Sequence, residues 1–160
     1  MIKVAIVEDF ELIREDLKEL IDSQEDMQVV WAAETGVQAV ELAEKEATDI
    51  ILMDIEMETI NAGILAAEKI RDKNSEQKII FMTAHETNEM IITAMGTGAV
   101  DYLVKGEDSE EILSHIRNAF AGRATMNSRI QETIMREYSR LQRSERSLLF
   151  FIHNVSQLTA

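Results

Sequence analysis

Residues 49–56 read DIILMDIE, and this octapeptide decides the fold class. Its centre, Ile50 to Met53, is apolar at every position and has the length of a short strand. A continuous apolar run is typical of a strand covered on both faces, as in parallel sheets. The segment therefore predicts a buried parallel strand over Asp49–Met53, with the acidic side chain of Asp54 directly after it.

Similar strand-like runs lie on either side of this segment, over Ile2–Val7, Gln28–Ala33, Lys78–Met82 and Val100–Val104. Between them, apolar residues recur at helical spacing, and Thr35 and Ser109 stand where helix N-caps are expected. Five strands that alternate with five helices predict an α/β fold with a doubly wound, five-stranded parallel sheet.

The composition narrows the class of protein. The chain has 160 residues, and a hydrophobic fraction of 46% excludes a wholly disordered chain. It contains no cysteine, which excludes disulfides and thiolate metal sites. The N-terminus is not a secretory signal, and the apolar run at residues 148–152 is too short to span a membrane. We therefore expect a cytoplasmic protein without membrane association.

The charge changes along the chain and suggests two regions. Residues 1–124 hold 27 acidic and 11 basic side chains, whereas residues 125–160 hold 3 acidic and 5 basic ones. The acidic region would repel a phosphate backbone, so it is not expected to bind nucleic acid by itself. We predict a domain over residues 1–124 and a helical extension over residues 125–160.

The predicted extension carries an imperfect heptad pattern. Ile134, Leu141, Leu148 and Val155 recur every seven residues, and other apolar residues occupy some of the companion positions. The pattern predicts that residues 126–155 are mainly helical. Such a helix could pack against its own domain, link it to another domain, or associate with a second copy in a homodimer.

Polar side chains follow four of the predicted strands. Glu8 and Asp9 follow the first, Asp54 the third, Thr83 the fourth and Lys105 the fifth. In a parallel sheet, ligands bind beyond the carboxyl ends of the strands. Three carboxylates close together disfavour full ionisation, and a hard divalent cation with oxygen ligands relieves this repulsion. The pattern predicts a Mg²⁺ site.

These side chains also suit phosphoryl transfer. Asp54 could attack phosphorus as a nucleophile and form an aspartyl phosphate. The charge on the transferred group would be compensated by the metal and by the ammonium of Lys105. The hydroxyl of Thr83 could donate a hydrogen bond to a phosphoryl oxygen.

The segments VAIVED, ILMDIEM, IFMTA and DYLVKG resemble the four signature blocks of response-regulator receiver domains. The resemblance covers about residues 1–122 and implies a flavodoxin-like, CheY-like receiver fold. It implies that Glu8 and Asp9 hold Mg²⁺, that Asp54 is the phosphoacceptor, and that Thr83 and Lys105 sense the phosphoryl group. It further implies that the backbone carbonyl of Glu56 completes the metal site and that Tyr102 is a switch residue.

The sequence departs from the family pattern at three positions. Glu58 stands where the family often has proline, four residues after the acceptor. The glycine expected soon afterwards is displaced by one residue, with Ala62 followed by Gly63. Gly106 follows the lysine in place of a proline joined by a cis bond, so we expect a trans bond or a rearranged loop there.

Two features near the predicted site have more than one interpretation. Met90, Ile91, Ala94 and Met95 form an apolar stripe on the predicted fourth helix, which fits core packing or contact with a partner. His85, two residues after Thr83, is a surface-loop histidine or an influence on how long the phosphoryl group persists.

The resemblance implies a function in a two-component system, with a sensor histidine kinase as the partner that supplies the phosphoryl group. The final residues, VSQLTA, resemble the start of the DNA-binding domain in LuxR-type (NarL/FixJ-like) regulators. A transcriptional output would then act on DNA through a domain absent from this chain. The receiver would not be an enzyme beyond its own phosphorylation and slow dephosphorylation.

Two alternative functions fit parts of the sequence. A stand-alone signalling adaptor could act through the tail helix. An aspartate-nucleophile phosphatase of the haloacid-dehalogenase type also uses an acidic pair, a threonine and a lysine on a parallel sheet. In that class the nucleophile follows the first strand, whereas Asp54 follows the third predicted strand.

Overall fold

The computed structural model describes residues 1–84 and 87–123, together with six residues of the tail. The chain forms two compact units, Met1–Met126 and Asn127–Ala160. The described tail residues are helical and exposed: Glu132, Met135, Arg136, Ser139, Arg140 and Arg143. The predicted heptad positions 134, 141, 148 and 155, and the loop residue His85, lie outside the described residues.

The first unit alternates strictly between strands and helices. The strands are β1 (Ile2–Val7), β2 (Met27–Ala33), β3 (Ile50–Asp54), β4 (Lys78–Thr83) and β5 (Asp101–Val104). The helices are α1 (Glu11–Asp22), α2 (Gly36–Lys45), α3 (Ala62–Lys73), α4 (Asn88–Gly96) and α5 (Ser109–Phe120). The strand order is β2-β1-β3-β4-β5, and every pairing is parallel. The predicted doubly wound parallel sheet is confirmed.

The strands β3 and β4 each extend one residue further than predicted, and in both cases the additional residue is a candidate site residue. Asp54 pairs with Met82 and is the last residue of β3, and Thr83 pairs with Val104 and is the last residue of β4. The prediction ended both strands one residue earlier because it followed the apolar runs. Both side chains are therefore held by the sheet itself and not by the loops that follow it.

The central strand β3 is buried at all five positions, as its continuous apolar run predicts. Alternate residues of the sheet form one face of the core together with α1 and α5. This cluster includes Val4, Ile6, Ile50, Leu52, Ile80 and Leu103 from the strands, and Leu17, Ile21, Leu113 and Ile116 from the helices. The carboxyl ends of the strands are therefore supported by a close-packed apolar core.

One of the two predicted helix caps is confirmed. The Thr35 side chain accepts a hydrogen bond from Gln38 N and caps α2. The prediction for Ser109 is wrong by one residue, since Asp108 occupies the N-cap position and Ser109 is already helical. The carbonyl of Asp108 accepts the first helical hydrogen bond, from Ile112 N at 3.1 Å.

The apolar stripe on α4 divides into two parts. Ile91 and Ala94 are buried, which confirms core packing for these positions. Met90 and Met95 are only half-buried.

The loop after β5 differs from a cis-proline loop. The peptide bond between Lys105 and Gly106 is trans, and Gly106 has φ +94°. A positive φ of this size favours glycine, which explains this residue in place of proline.

Glu58 has a structural role that the sequence pattern did not suggest. Its Oε1 accepts a hydrogen bond from Gly36 N at 2.8 Å, and its Oε2 lies 3.4 Å from Val37 N. Both donors belong to the first turn of α2, where unpaired backbone N–H groups favour an anion. Partial burial acts to raise the pKa of Glu58, but these backbone hydrogen bonds outweigh it and lower the pKa. The loop after β3 is thereby attached to α2.

The structure explains why a glycine is required at position 63. A Cβ atom at this position would lie 1.9 Å from the carbonyl oxygen of Asp54, which belongs to the backbone. Gly63 N also donates a hydrogen bond to Ile55 O at 2.8 Å. The first turn of α3 therefore packs directly on the backbone that carries Asp54, and only glycine permits this approach.

We predict that Gly63→Ala lowers the free energy of unfolding by about 3 kcal/mol or more, because a backbone atom must move to admit the methyl group. Gly96→Ala is the matched control, since a Cβ at Gly96 would have no neighbour within 4 Å. This second change should be neutral or stabilise by up to about 1 kcal/mol. Urea unfolding measures both, and equal effects of the two variants would contradict the packing argument.

Candidate functional site

The candidate site lies at the edge of the sheet where four parallel strands end. Glu8 follows β1, Asp54 ends β3, Thr83 ends β4 and Lys105 follows β5. The pairing of β1 with β3 and of β4 with β5 brings these ends to a common level. Lys105 is tied to this edge by its backbone N–H, which donates to Thr83 O at 2.7 Å.

Lys105 joins two buried carboxylates. Its Nζ lies 2.9 Å from both oxygens of Glu8 and 3.0 Å from Asp54 Oδ2. The Glu8 side chain is fully buried and that of Asp54 is nearly so, whereas the Lys105 side chain remains 20% exposed. One cation therefore faces two acidic groups in a poorly solvated setting, which leaves one negative charge uncompensated when both acids are ionised.

The presence of one cation beside two buried acids changes the pKa values of Asp54 and Lys105. Burial, followed by the neighbouring Glu8 carboxylate, raises the pKa of Asp54 to about 8, although Lys105 acts in the opposite direction. Burial acts to lower the pKa of Lys105, but its contacts with Glu8 and Asp54 outweigh this and raise the pKa. The lysine thus stays charged, and an additional cation beside Asp54 would favour the ionised form of its carboxyl group.

The site has the donor atoms for a divalent cation. Glu8, Asp9 and Asp54 each offer a carboxylate oxygen, and these oxygens all lie within 4.8 Å of one another. Glu8 Oε2 and Asp54 Oδ2 are buried and accept no well-aligned hydrogen bond from the described part of the chain. Asp9 is exposed and connects the cluster to solvent. An all-oxygen set with one open side fits Mg²⁺, which retains waters and binds phosphate oxygens.

Two further contacts at the site have no clear signal in the sequence. Arg14 on α1 donates from Nη1 to the carbonyl of Glu8 at 2.9 Å and so holds the acidic turn after β1. Thr83 Oγ1 lies 3.3 Å from Met90 Sδ, which connects the end of β4 to α4.

The remaining predicted residues lie near the site in different environments. Tyr102 on β5 is almost fully buried, with 1% of its surface exposed. Its backbone N donates to the side chain of Asp101 at 2.8 Å. Glu56, in the loop after β3, is half-buried. The roles assigned to Glu56 and Tyr102 remain predictions.

The response regulator receiver domain model matches residues 4–117. The chain belongs to the response-regulator receiver family. Receiver domains generally bind Mg²⁺ in an acidic pocket, and this chain has an acidic cluster of Glu8, Asp9 and Asp54 at the edge of its sheet. Receiver domains of response regulators are in general phosphorylated by sensor kinases.

Two curated relatives are regulators of the same class. The chain is 34% identical over 132 residues to the response regulator UvrY of Escherichia coli strain K12, and the alignment covers 82% of this chain and 60% of the relative. It is 30% identical over 140 residues to the transcriptional regulatory protein DegU of Brevibacillus brevis, covering 88% and 59% respectively. The chain therefore spans about three fifths of the length of these relatives.

Solved structures support the same fold. A LuxR-family two-component response regulator from Aurantimonas sp. SI85-9A1 matches with a TM-score of 0.76 and 28% identity, covering 86% of this chain and 97% of that one. The response regulator domain of Thermotoga maritima CheB matches with a TM-score of 0.69 and 37% identity, covering 76% and 97%. The predicted receiver fold and its likeness to LuxR-type regulators are confirmed.

In the described ranges, no helix combines the length and the apolar character required to cross a bilayer.

We predict that Lys105→Met makes stability depend on Mg²⁺. Without the ammonium, Glu8 and Asp54 repel each other at short range, and the free energy of unfolding should fall by about 1–3 kcal/mol in metal-free buffer. Saturating Mg²⁺ should recover much of this loss, and its stabilising effect should exceed that on the wild-type chain. Urea unfolding with and without Mg²⁺ provides the measurement.

Lys78→Met is the matched control for this experiment. Lys78 Nζ donates to the carbonyls of Ala119 at 2.9 Å and Phe120 at 3.3 Å, which are neutral partners away from the carboxylates. Its loss should destabilise the chain by an amount that Mg²⁺ does not recover. An equal response of both variants to Mg²⁺ would contradict the role of Lys105 as the cation that balances the two acids.

Proposed function

We propose that this chain is a signalling receiver that accepts a phosphoryl group on Asp54 in a reaction that needs Mg²⁺. The observation that carries the proposal is the position of one lysine between Glu8 and Asp54, with the exposed Asp9 at the open side of the same carboxylate cluster. A nucleophile, a fixed cation and an oxygen-rich metal pocket are the components that phosphoryl transfer requires.

The chemistry follows from the positions of these groups. An oxygen of the ionised Asp54 carboxylate attacks phosphorus, a new O–P bond forms, and the bond from phosphorus to the leaving group of the donor breaks. Lys105, already 3.0 Å from Asp54 Oδ2, compensates charge on the transferred group. Glu8, Asp9 and Asp54 would hold Mg²⁺, which would supply positive charge to compensate the acceptor carboxylate and the phosphoryl group. The carbonyl of Glu56 is proposed as a further metal ligand.

The response to phosphorylation would begin at Thr83. A phosphoryl group adds about −1.5 to −2 charges next to Asp54, and the Thr83 hydroxyl is the nearby neutral donor proposed to turn towards it. That movement would release the contact between Thr83 Oγ1 and Met90 Sδ and so alter the position of α4. Tyr102, buried on the neighbouring β5, is proposed to change its side-chain position at the same time.

The wider role is inferred from the relatives. A sensor histidine kinase is the proposed donor, and transcription is the proposed output, since DegU of Brevibacillus brevis is named a transcriptional regulatory protein. Contact with DNA would require an output domain outside this chain. We propose a cytoplasmic protein without enzymatic turnover beyond its own phosphorylation and slow dephosphorylation, and a homodimer through the tail is an additional proposal.

The proposed acceptor is tested by Asp54→Asn, which removes the nucleophilic oxygen with little change in shape. A small phosphodonor with Mg²⁺ should add one phosphoryl group to the wild-type chain and none to the variant. Asp72→Asn, an exposed aspartate on α3, is the matched control and should retain full labelling. Intact-mass spectrometry measures the outcome, and undiminished labelling of the Asp54→Asn variant would show that the acceptor is a different residue.

The proposed metal site is tested by Asp9→Asn. Loss of one carboxylate at the open side should weaken Mg²⁺ binding by about tenfold or more and slow phosphorylation at limiting Mg²⁺. Calorimetry measures the affinity directly. Asp16→Asn, an exposed aspartate on α1, serves as the control for the change in net charge. Equal Mg²⁺ affinity in the wild-type chain and the Asp9→Asn variant would remove Asp9 from the proposed ligand set.

A further inference from the structure

A second group of possible metal ligands lies apart from the phosphoacceptor cluster, where β5 leads into α5. Glu111 and His115 are four residues apart on α5 and share one helix face, and Glu107 lies in the loop just before the helix. Each offers one ligand atom, and these atoms all lie within 4.8 Å of one another. The proposed receiver function uses none of these three side chains.

The histidine in this group is held in a fixed orientation. His115 Nδ1 contacts Asp101 Oδ2 in a hydrogen-bonded ion pair, and Asp101 is buried on β5. A carboxylate bonded to one ring nitrogen fixes the tautomer and directs the other nitrogen outward, an arrangement common behind metal-binding histidines. Here the second nitrogen, Nε2, faces Glu107 Oε2 at 3.8 Å.

Glu107 provides an independent indication of a ligand. Its Oε2 is a buried atom that accepts no hydrogen bond from the described residues, although the side chain as a whole is 31% exposed. Its other oxygen, Oε1, lies 3.5 Å from Val104 N, which holds the carboxylate in place. An oxygen that is oriented, desolvated and next to an imidazole nitrogen is suited to share a cation with it.

We propose that Glu107, Glu111 and His115 bind a borderline divalent transition cation such as Zn²⁺, with Asp101 orienting the histidine. One nitrogen and two carboxylate oxygens are a ligand set that Zn²⁺ accepts, with water at the remaining position. The set does not favour Mg²⁺, which prefers oxygen ligands alone. Glu111 is exposed, so an ion can reach the proposed site from solvent on that side.

The experiment titrates the full chain with Co²⁺, a spectroscopic substitute for Zn²⁺, in saturating Mg²⁺ so that the phosphoacceptor pocket is filled. The wild-type chain should bind one Co²⁺, with a visible absorption spectrum, and Zn²⁺ should displace it. His115→Asn and Glu107→Gln should each weaken binding by about tenfold or more. Circular dichroism verifies that each variant remains folded.

The matched control replaces the other two histidines, as His85→Asn combined with His153→Asn. This variant should keep the wild-type Co²⁺ affinity, and Glu110→Gln should keep it as well, because Glu110 is an exposed neighbour on α5. Absence of Co²⁺ binding by the wild-type chain would overturn the proposal. Binding that survives in His115→Asn but is lost in the double histidine variant would overturn it too, by moving the site elsewhere.

Discussion

The ion pair that Lys105 makes with both Glu8 and Asp54 is the interaction on which the site depends. Lys105 follows β5, and its ammonium group contacts Glu8, which follows β1, and Asp54 at the end of β3. The ion pair therefore connects the carboxyl ends of three strands. Burial and the neighbouring Glu8 carboxylate raise the pKa of Asp54, because one cation does not compensate two buried acids. The pocket is thus most stable with either a proton or a second cation, and Mg²⁺ is the second cation that its oxygens fit.

The segment from β3 to α3 supports this arrangement by fixing the backbone of Asp54. Gly63 packs against the carbonyl of Asp54, and Glu58 holds the intervening loop at the start of α2. The sequence departs from the family pattern at both positions, yet each residue makes a specific contact. Family resemblance identified these positions as unusual, and only the three-dimensional arrangement supplied the reason for them.

Much of the fold could be predicted because continuous apolar runs and helical spacing are local properties of the sequence. The convergence of Glu8, Asp54, Thr83 and Lys105 could also be predicted, since parallel strands end at one edge. The errors at the ends of β3 and β4 arose because a polar residue can continue a strand beyond its apolar run. Contacts between distant segments, such as that from Arg14 to the Glu8 carbonyl, could not be predicted, because they depend on how the helices pack on the sheet.

The close packing at Gly63 has a consequence for the direction in which a signal can travel. A backbone-to-backbone contact without side chains has no rotamers and therefore no alternative arrangement of low energy. The backbone at the start of α3 is for this reason a stiff neighbour of Asp54. The contact on the side of α4 instead joins two side chains, the Thr83 hydroxyl and the Met90 thioether, and the unbranched Met90 side chain can change its torsion angles at low cost. A change at this edge of the sheet is therefore accommodated more easily by the side chains beside α4 than by the backbone beside α3.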